Sequence, residues 1–97
     1  MNTVHKVIFG NSASMQEINS ESIQLILTSP PYFNAPFDYK GYYKDYKKYL
    51  RIMRMMVKES YRVLEEGRIF ALNIDDMLID SIKYPITADL TRIFIEE

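Results

Sequence analysis

Residues 22–28, Ser-Ile-Gln-Leu-Ile-Leu-Thr, form a near-continuous apolar run that ends one residue before a proline pair, Pro30-Pro31. A run of this length and density fits a strand covered by other layers, as in a parallel sheet with helices on it. The two prolines fix where that strand stops. Each locks its own φ, removes an amide donor and restricts the residue before it, so the ladder cannot continue beyond Ser29. A chain with such a strand has to supply helices to cover it and a parallel neighbour to pair with it.

The flanking sequence supplies both. Residues 5–9 (HKVIF) have a short strand pattern ending at Gly10, and Ser12 to Ile18 suits a brief helix capped by Ser12 or Ser14. Pro30 to about Gly41 reads as a loop rich in Pro, Asn, Asp and aromatics. A long helix is predicted from about Tyr43 to Glu65. Its stripe is Tyr46, Tyr49, Leu50, Met53, Met56, Val57, Ser60, Tyr61 and Leu64, at spacings of three and four. This Met and Tyr stripe reads as packing surface, with Gly67 just past the helix end. Arg68 to Ile74 is a further buried-type strand, and Pro85 opens a last helix to Glu97. Alternating strand and helix point to an α/β fold, mainly a parallel sheet with flanking helices, in one small domain over residues 1–97. Right-handed crossovers bring the carboxyl ends of the three strands to one edge, where ligands bind in open α/β sheets. That edge collects Gly10-Asn11, Thr28-Ser29-Pro30 and Asn73-Ile74-Asp75-Asp76.

Composition removes several classes of chemistry. There is no cysteine, hence no disulfide, thiolate metal site or cysteine nucleophile, and a single histidine, His5, does not make a zinc cluster. No metal site is expected. A formal charge of -1 gives no overall basic field to hold nucleic acid without specificity. With no bilayer-length apolar run and no signal-peptide pattern, a cytoplasmic protein with no membrane partner is the expectation.

The Pro-Pro corner carries the functional signal. It presents the Ser29 carbonyl and hydroxyl as acceptors, and Tyr32 adds a flat face beside them. Acceptors next to an aromatic face suit a planar heterocycle with an exocyclic amino group, as in the capture of a flipped base. The bland account is a plain proline turn after a strand. Asp75 and Asp76, on the same edge, read first as solvated loop carboxylates or helix caps.

Thr28-Ser29-Pro30-Pro31-Tyr32 resembles the catalytic motif of the amino-group DNA methyltransferases, which use S-adenosylmethionine to methylate cytosine N4 or adenine N6. The TSPPY form is more typical of the cytosine-N4 branch. The strand ending Phe-Gly-Asn, the tyrosine-rich helix and the Gly-led strand GRIFALNI extend the likeness over nearly the whole chain. The resemblance implies a Rossmann-like S-adenosylmethionine-dependent methyltransferase fold and a catalytic set of Ser29, Pro30, Pro31 and Tyr32. Ser29 and the Pro30 backbone would hold the target amino group of a base flipped from double-stranded DNA, with Tyr32 stacked on it. Asn11 and Thr28 would contact the cofactor, although Asn11 stands where the family usually has an aspartate.

Only three glycines occur (Gly10, Gly41, Gly67), and no Phe-x-Gly-x-Gly turn is present. The chain therefore reads as the N-terminal catalytic part of such an enzyme, with an incomplete sheet. Alone it is expected to bind S-adenosylmethionine weakly or not at all, to transfer no methyl group, and to self-associate through uncovered apolar surface. Residues 33–41 read either as a mobile lid that orders over the base or as an ordinary packed loop. Three readings stay open. They are cytosine-N4 methylation of DNA; the same chemistry on adenine N6 or another amino group; and a non-catalytic α/β remnant serving as an interaction module.

Overall fold

The computed structural model describes residues 2–30, 45–79 and 81–97. Two helices and four strands follow in the order β1 (Ile23–Thr28), α1 (Tyr46–Val63), β2 (Leu64–Leu72), β3 (Met77–Ile79), β4 (Ile82–Tyr84) and α2 (Ile86–Glu96). The architecture is a small α/β one, with β1 and β2 paired in parallel as expected. The expected loop over Pro30 to Gly41, and the lid within it, lie outside the described residues beyond Pro30.

Helix α1 organises the molecule. Asp45 caps it, its carboxylate accepting from the amides of Lys47 (3.0 Å) and Lys48 (3.3 Å). The residues it buries are Tyr49, Met53, Met56, Val57, Ser60 and Val63, one face at helical spacing. Ile86, Leu90 and Ile93 of α2 pack against this face, and Phe70, Leu72, Met77 and Tyr84 of the strands close the cluster together with Ile74 between β2 and β3. Phe70 meets Phe94 edge to face, with ring centroids 4.8 Å apart. Two polar links add orientation. Tyr46 donates its hydroxyl to Asp89 (2.5 Å), and Arg54 pairs with Glu96 (2.7 Å). Burial, and then the bond to the Asp89 carboxylate, push the Tyr46 phenol well above its ordinary range.

The expected stripe holds except at one end. Tyr61 is 73% exposed, and Val63 takes the buried position in the last turn. Helix α1 stops at Val63, earlier than Glu65, because Leu64 is already extended and pairs with Ile23. Gly67 therefore lies within β2, not past a helix end. Between Ile23↔Leu64 and Leu25↔Ile69 the register slips, and Gly67 takes φ +77° in that irregularity, a conformation a side chain resists.

Three sequence expectations are corrected. Residues 5–9 form no strand and pair with no described strand; Val4, Val7 and Phe9 are largely exposed. A strand needs a neighbour's backbone, and local β-propensity does not provide one. Ser12 to Ile18 makes two turns, closed by Ser14 N–H to Asn11 O and Ile18 N–H to Met15 O, in place of a helix. An antiparallel hairpin, β3–β4, occupies a stretch where no element is evident from sequence. Among the described residues the sheet is also covered on one face only. Leu25, Leu27 and Ile69 on the other face are 59%, 74% and 66% exposed, so the buried-type run of β1 is half bare.

Leu90→Ala is expected to destabilise the chain by about 2–5 kcal/mol, since Leu90 is fully buried between the helices. Tyr61→Ala should stay within about 0.5 kcal/mol of the parent. Urea unfolding monitored by circular dichroism checks both; equal effects would mean that the core is not the α1–α2 interface.

Candidate active site at the strand end

The carboxyl end of β1 opens into a cleft of about 480 Å³. One wall is the corner Thr28, Ser29 and Pro30, the other is the turn Gly10 to Ala13, and Ile52, Met53 and Met56 of α1 form the floor. The volume is in the range of small-molecule sites. Every described lining residue is uncharged, so the cleft offers hydroxyls, an amide and main-chain groups over a thioether floor.

Each wall has a local cause. Thr28 ends β1 half-buried, and its carbonyl accepts from Asn73 N–H (3.0 Å), which ties the corner to the chain just past β2. Ser29 is exposed and Pro30 half-buried. Across the cleft, the Asn11 side-chain oxygen accepts from Ala13 N–H (2.9 Å), a turn that asparagine and aspartate favour. Both Asn11 and Thr28, expected at a cofactor, thus line the same cleft as Ser29 and Pro30. Pro31 and Tyr32 lie outside the described residues.

The carboxylates of the expected edge are engaged elsewhere. Asp76 accepts from Thr87 N–H (2.8 Å) near the start of α2, and that bond holds its carboxyl below the usual range. Its stabilisation is accordingly present above the unfolded-state value and is lost as pH falls through the lowered one. Asp75 accepts from the amide of Asp76 (2.7 Å). Helix-cap and loop roles account for both. Exposed His5 does not line the cleft. Among the described residues no group of three or more His, Asp or Glu is placed to hold a metal, and no helix is long and apolar enough to cross a membrane.

Sequence reasoning missed the floor. Met53 and Met56 are read from spacing as core, and they are buried; yet both also border the cleft. Helical periodicity identifies a buried face but not the part of it that ends at a cleft wall.

The fold and cleft define a small α/β chain with an open cleft at a strand end, and comparison with known proteins gives it a family. Residues 23–97 match the family model described as DNA methylase, of the N6/N4 methyltransferase type. The chain belongs to this family. It is 57% identical over 30 residues to the Type II methyltransferase M.MjaI of Methanocaldococcus jannaschii, covering 31% of this chain and 10% of that protein. Over 32 residues it is 53% identical to the Type II methyltransferase M.MthZI of Methanothermobacter thermautotrophicus, covering 33% of this chain and 9% of that protein. The matched stretches thus span about a tenth of each relative. No solved structure matches significantly.

Asn11→Asp is expected to preserve the turn and leave stability within about 0.5 kcal/mol, because either side-chain oxygen can accept from Ala13. Asn11→Ala removes the acceptor and should speed exchange of the Ala13 amide. Hydrogen exchange by NMR checks this, and an unchanged Ala13 rate in the alanine variant would show that the side chain does not hold the turn.

Proposed function

We propose that this chain provides the catalytic corner of an S-adenosylmethionine-dependent DNA methyltransferase acting on the exocyclic N4 of cytosine. The carrying observation is the cleft at the end of β1, where Thr28, Ser29 and Pro30 face the Asn11 turn across an uncharged cavity. Family membership supports methyl transfer to DNA, and the two relatives are named as Type II methyltransferases. The same observations favour a partial Rossmann-like frame, with the parallel pair β1–β2 covered on one face by helices.

The donor set fits the cofactor. Asn11 and Thr28 would hold it with neutral hydrogen-bonding groups, and the Met53–Met56 floor gives it an apolar bed. When bound, S-adenosylmethionine supplies an electrophilic methyl group. Ser29 and the Pro30 backbone accept from the hydrogens of the target amine. That pull moves the nitrogen towards tetrahedral geometry and localises its lone pair for attack. The new nitrogen–methyl bond replaces the methyl–sulfur bond, S-adenosylhomocysteine is the leaving group, and one N–H proton passes to water at the exposed Ser29. No covalent bond to the protein is needed, in keeping with a chain that has no cysteine. The chemistry is positioning and electrostatics. Tyr32 would stack on a base flipped from duplex DNA, with Pro31 fixing its place in the corner. The TSPPY form supports cytosine over adenine. A second reading, a non-catalytic remnant that docks another copy or a partner chain, is favoured by the bare face of Leu25, Leu27 and Ile69.

The test is product analysis with the gene product that carries these residues. After incubation with duplex DNA and methyl-labelled S-adenosylmethionine, hydrolysed DNA is expected to contain N4-methylcytosine. N6-methyladenine would replace the cytosine assignment, and no labelled base would favour the docking module. Tyr32→Ala should weaken base capture by about 1–3 kcal/mol, and Tyr32→Phe should keep most of it. Equal losses would assign the effect to the hydroxyl.

A further inference from the structure

The turn that forms one wall of the cleft belongs to no helix or strand. The chain that follows it, residues 15–20, is held by one side-chain pair near the far end of α1. The Arg62 guanidinium donates to Met15 O (2.8 Å), Ile18 O (3.1 Å) and the Ser20 hydroxyl (3.1 Å), and pairs with Glu59 (2.8 Å). Glu59 in turn accepts the Met15 N–H. The bonds from Arg62, and then from Met15, hold the Glu59 carboxyl below its usual range. Two backbone bonds finish the attachment, Glu21 N–H to Arg62 O and Ser22 N–H to Val63 O, each 2.8 Å. Between them Glu21 is forced to φ +51°, a conformation unusual for a side-chain-bearing residue and kept only where the surroundings over-determine it.

These contacts are more than a surface ion pair. Two neighbouring α1 residues hold the donors and acceptors of a strap, residues 15–22, that would otherwise have no ladder to join. At one end the strap leads through the Asn11–Ala13 turn to the cleft wall; at the other it leads into β1 and the Thr28–Ser29 corner. A planar fork that reaches several carbonyls at once is a property of arginine, not of lysine.

We infer that Arg62, oriented by Glu59, is a positioning residue for methyl transfer: it sets the distance between the Asn11 wall and the Ser29 corner without touching either. The inference rests on the cleft being the methyl-transfer site, and its two arms of test separate that reading from the strap itself. The first arm uses the 97-residue chain and amide hydrogen exchange. In Arg62→Ala the amides of Met15, Glu21 and Ser22 should exchange at least about tenfold faster, and the Ala13 resonance should move, with Val57 and Leu90 in the helix core unchanged. Arg62→Lys keeps the charge opposite Glu59 but should not restore Ala13. Uniform loss of protection, wild-type exchange across residues 13–22, or full rescue by lysine would overturn the inference. If Arg62→Ala does not fold, Glu59→Gln should loosen the same amides to a smaller degree, and no change there would overturn it equally.

The second arm measures methyl transfer by the gene product. Arg62→Ala should raise KM for S-adenosylmethionine by about tenfold or more with a smaller effect on kcat, the signature of a displaced cofactor wall. A kcat loss alone would contradict the role. Absence of transfer by the parent protein would sink the functional reading, and the exchange arm would still decide whether Arg62 fixes the strap.

Discussion

The apolar face of α1 is the surface on which α2 and the inner side of β2 are assembled. Tyr49, Met53, Met56 and Val57 receive α2 through Ile86, Leu90 and Ile93, and the same face receives the inner side of the sheet through Phe70 and Leu72. Burial of this apolar surface is the main term holding a domain of this size together. The cleft depends on it directly. Met53 and Met56 belong to the core and also make the cleft floor, so the corner at the end of β1 sits beside the buried face of α1.

Polar contacts then place what the core does not reach. The Asp45 cap starts α1, Asp76 meets Thr87 near the start of α2, and the Glu59–Arg62 pair ties down the strap ahead of β1. Among the described residues no buried side-chain nitrogen or oxygen lacks a partner. Among the described residues the opposite face of β1–β2 has no such cover, and Leu25, Leu27 and Ile69 stand exposed on it.

How much of this was legible in the sequence follows from which interactions are local. Helix α1 is written in its own spacing, and the proline pair after Thr28 and the proline before Ile86 mark the end of β1 and the start of α2. Asn11 does lie beside Thr28 and Ser29, but not by the rule that strand ends share an edge, because residues 5–9 form no strand. Residues 5–9 were misread because a strand is made by its neighbour, and the helix expected at 12–18 gave way to turns held by Arg62 from 44 to 47 residues away. Gly67 looked like a helix stop because the abrupt passage from α1 into β2 is decided by pairing with Ile23, a non-local contact. The hairpin at residues 77–84 has too short a pattern to stand out, and it gains its place by setting Met77 and Tyr84 against the core.

The central claim is that the corner at the end of β1 and the Asn11 turn form one ligand site for the methyl donor. Titrating the isotopically labelled chain with excess S-adenosylhomocysteine, the demethylated product, tests it most directly. The account predicts fast-exchange NMR shifts, the mark of weak binding, confined to the amides of Gly10 to Ala13, Thr28 and Ser29 and the methyl groups of Met53 and Met56. Shifts centred on the Gly67 bulge or α2 would contradict it.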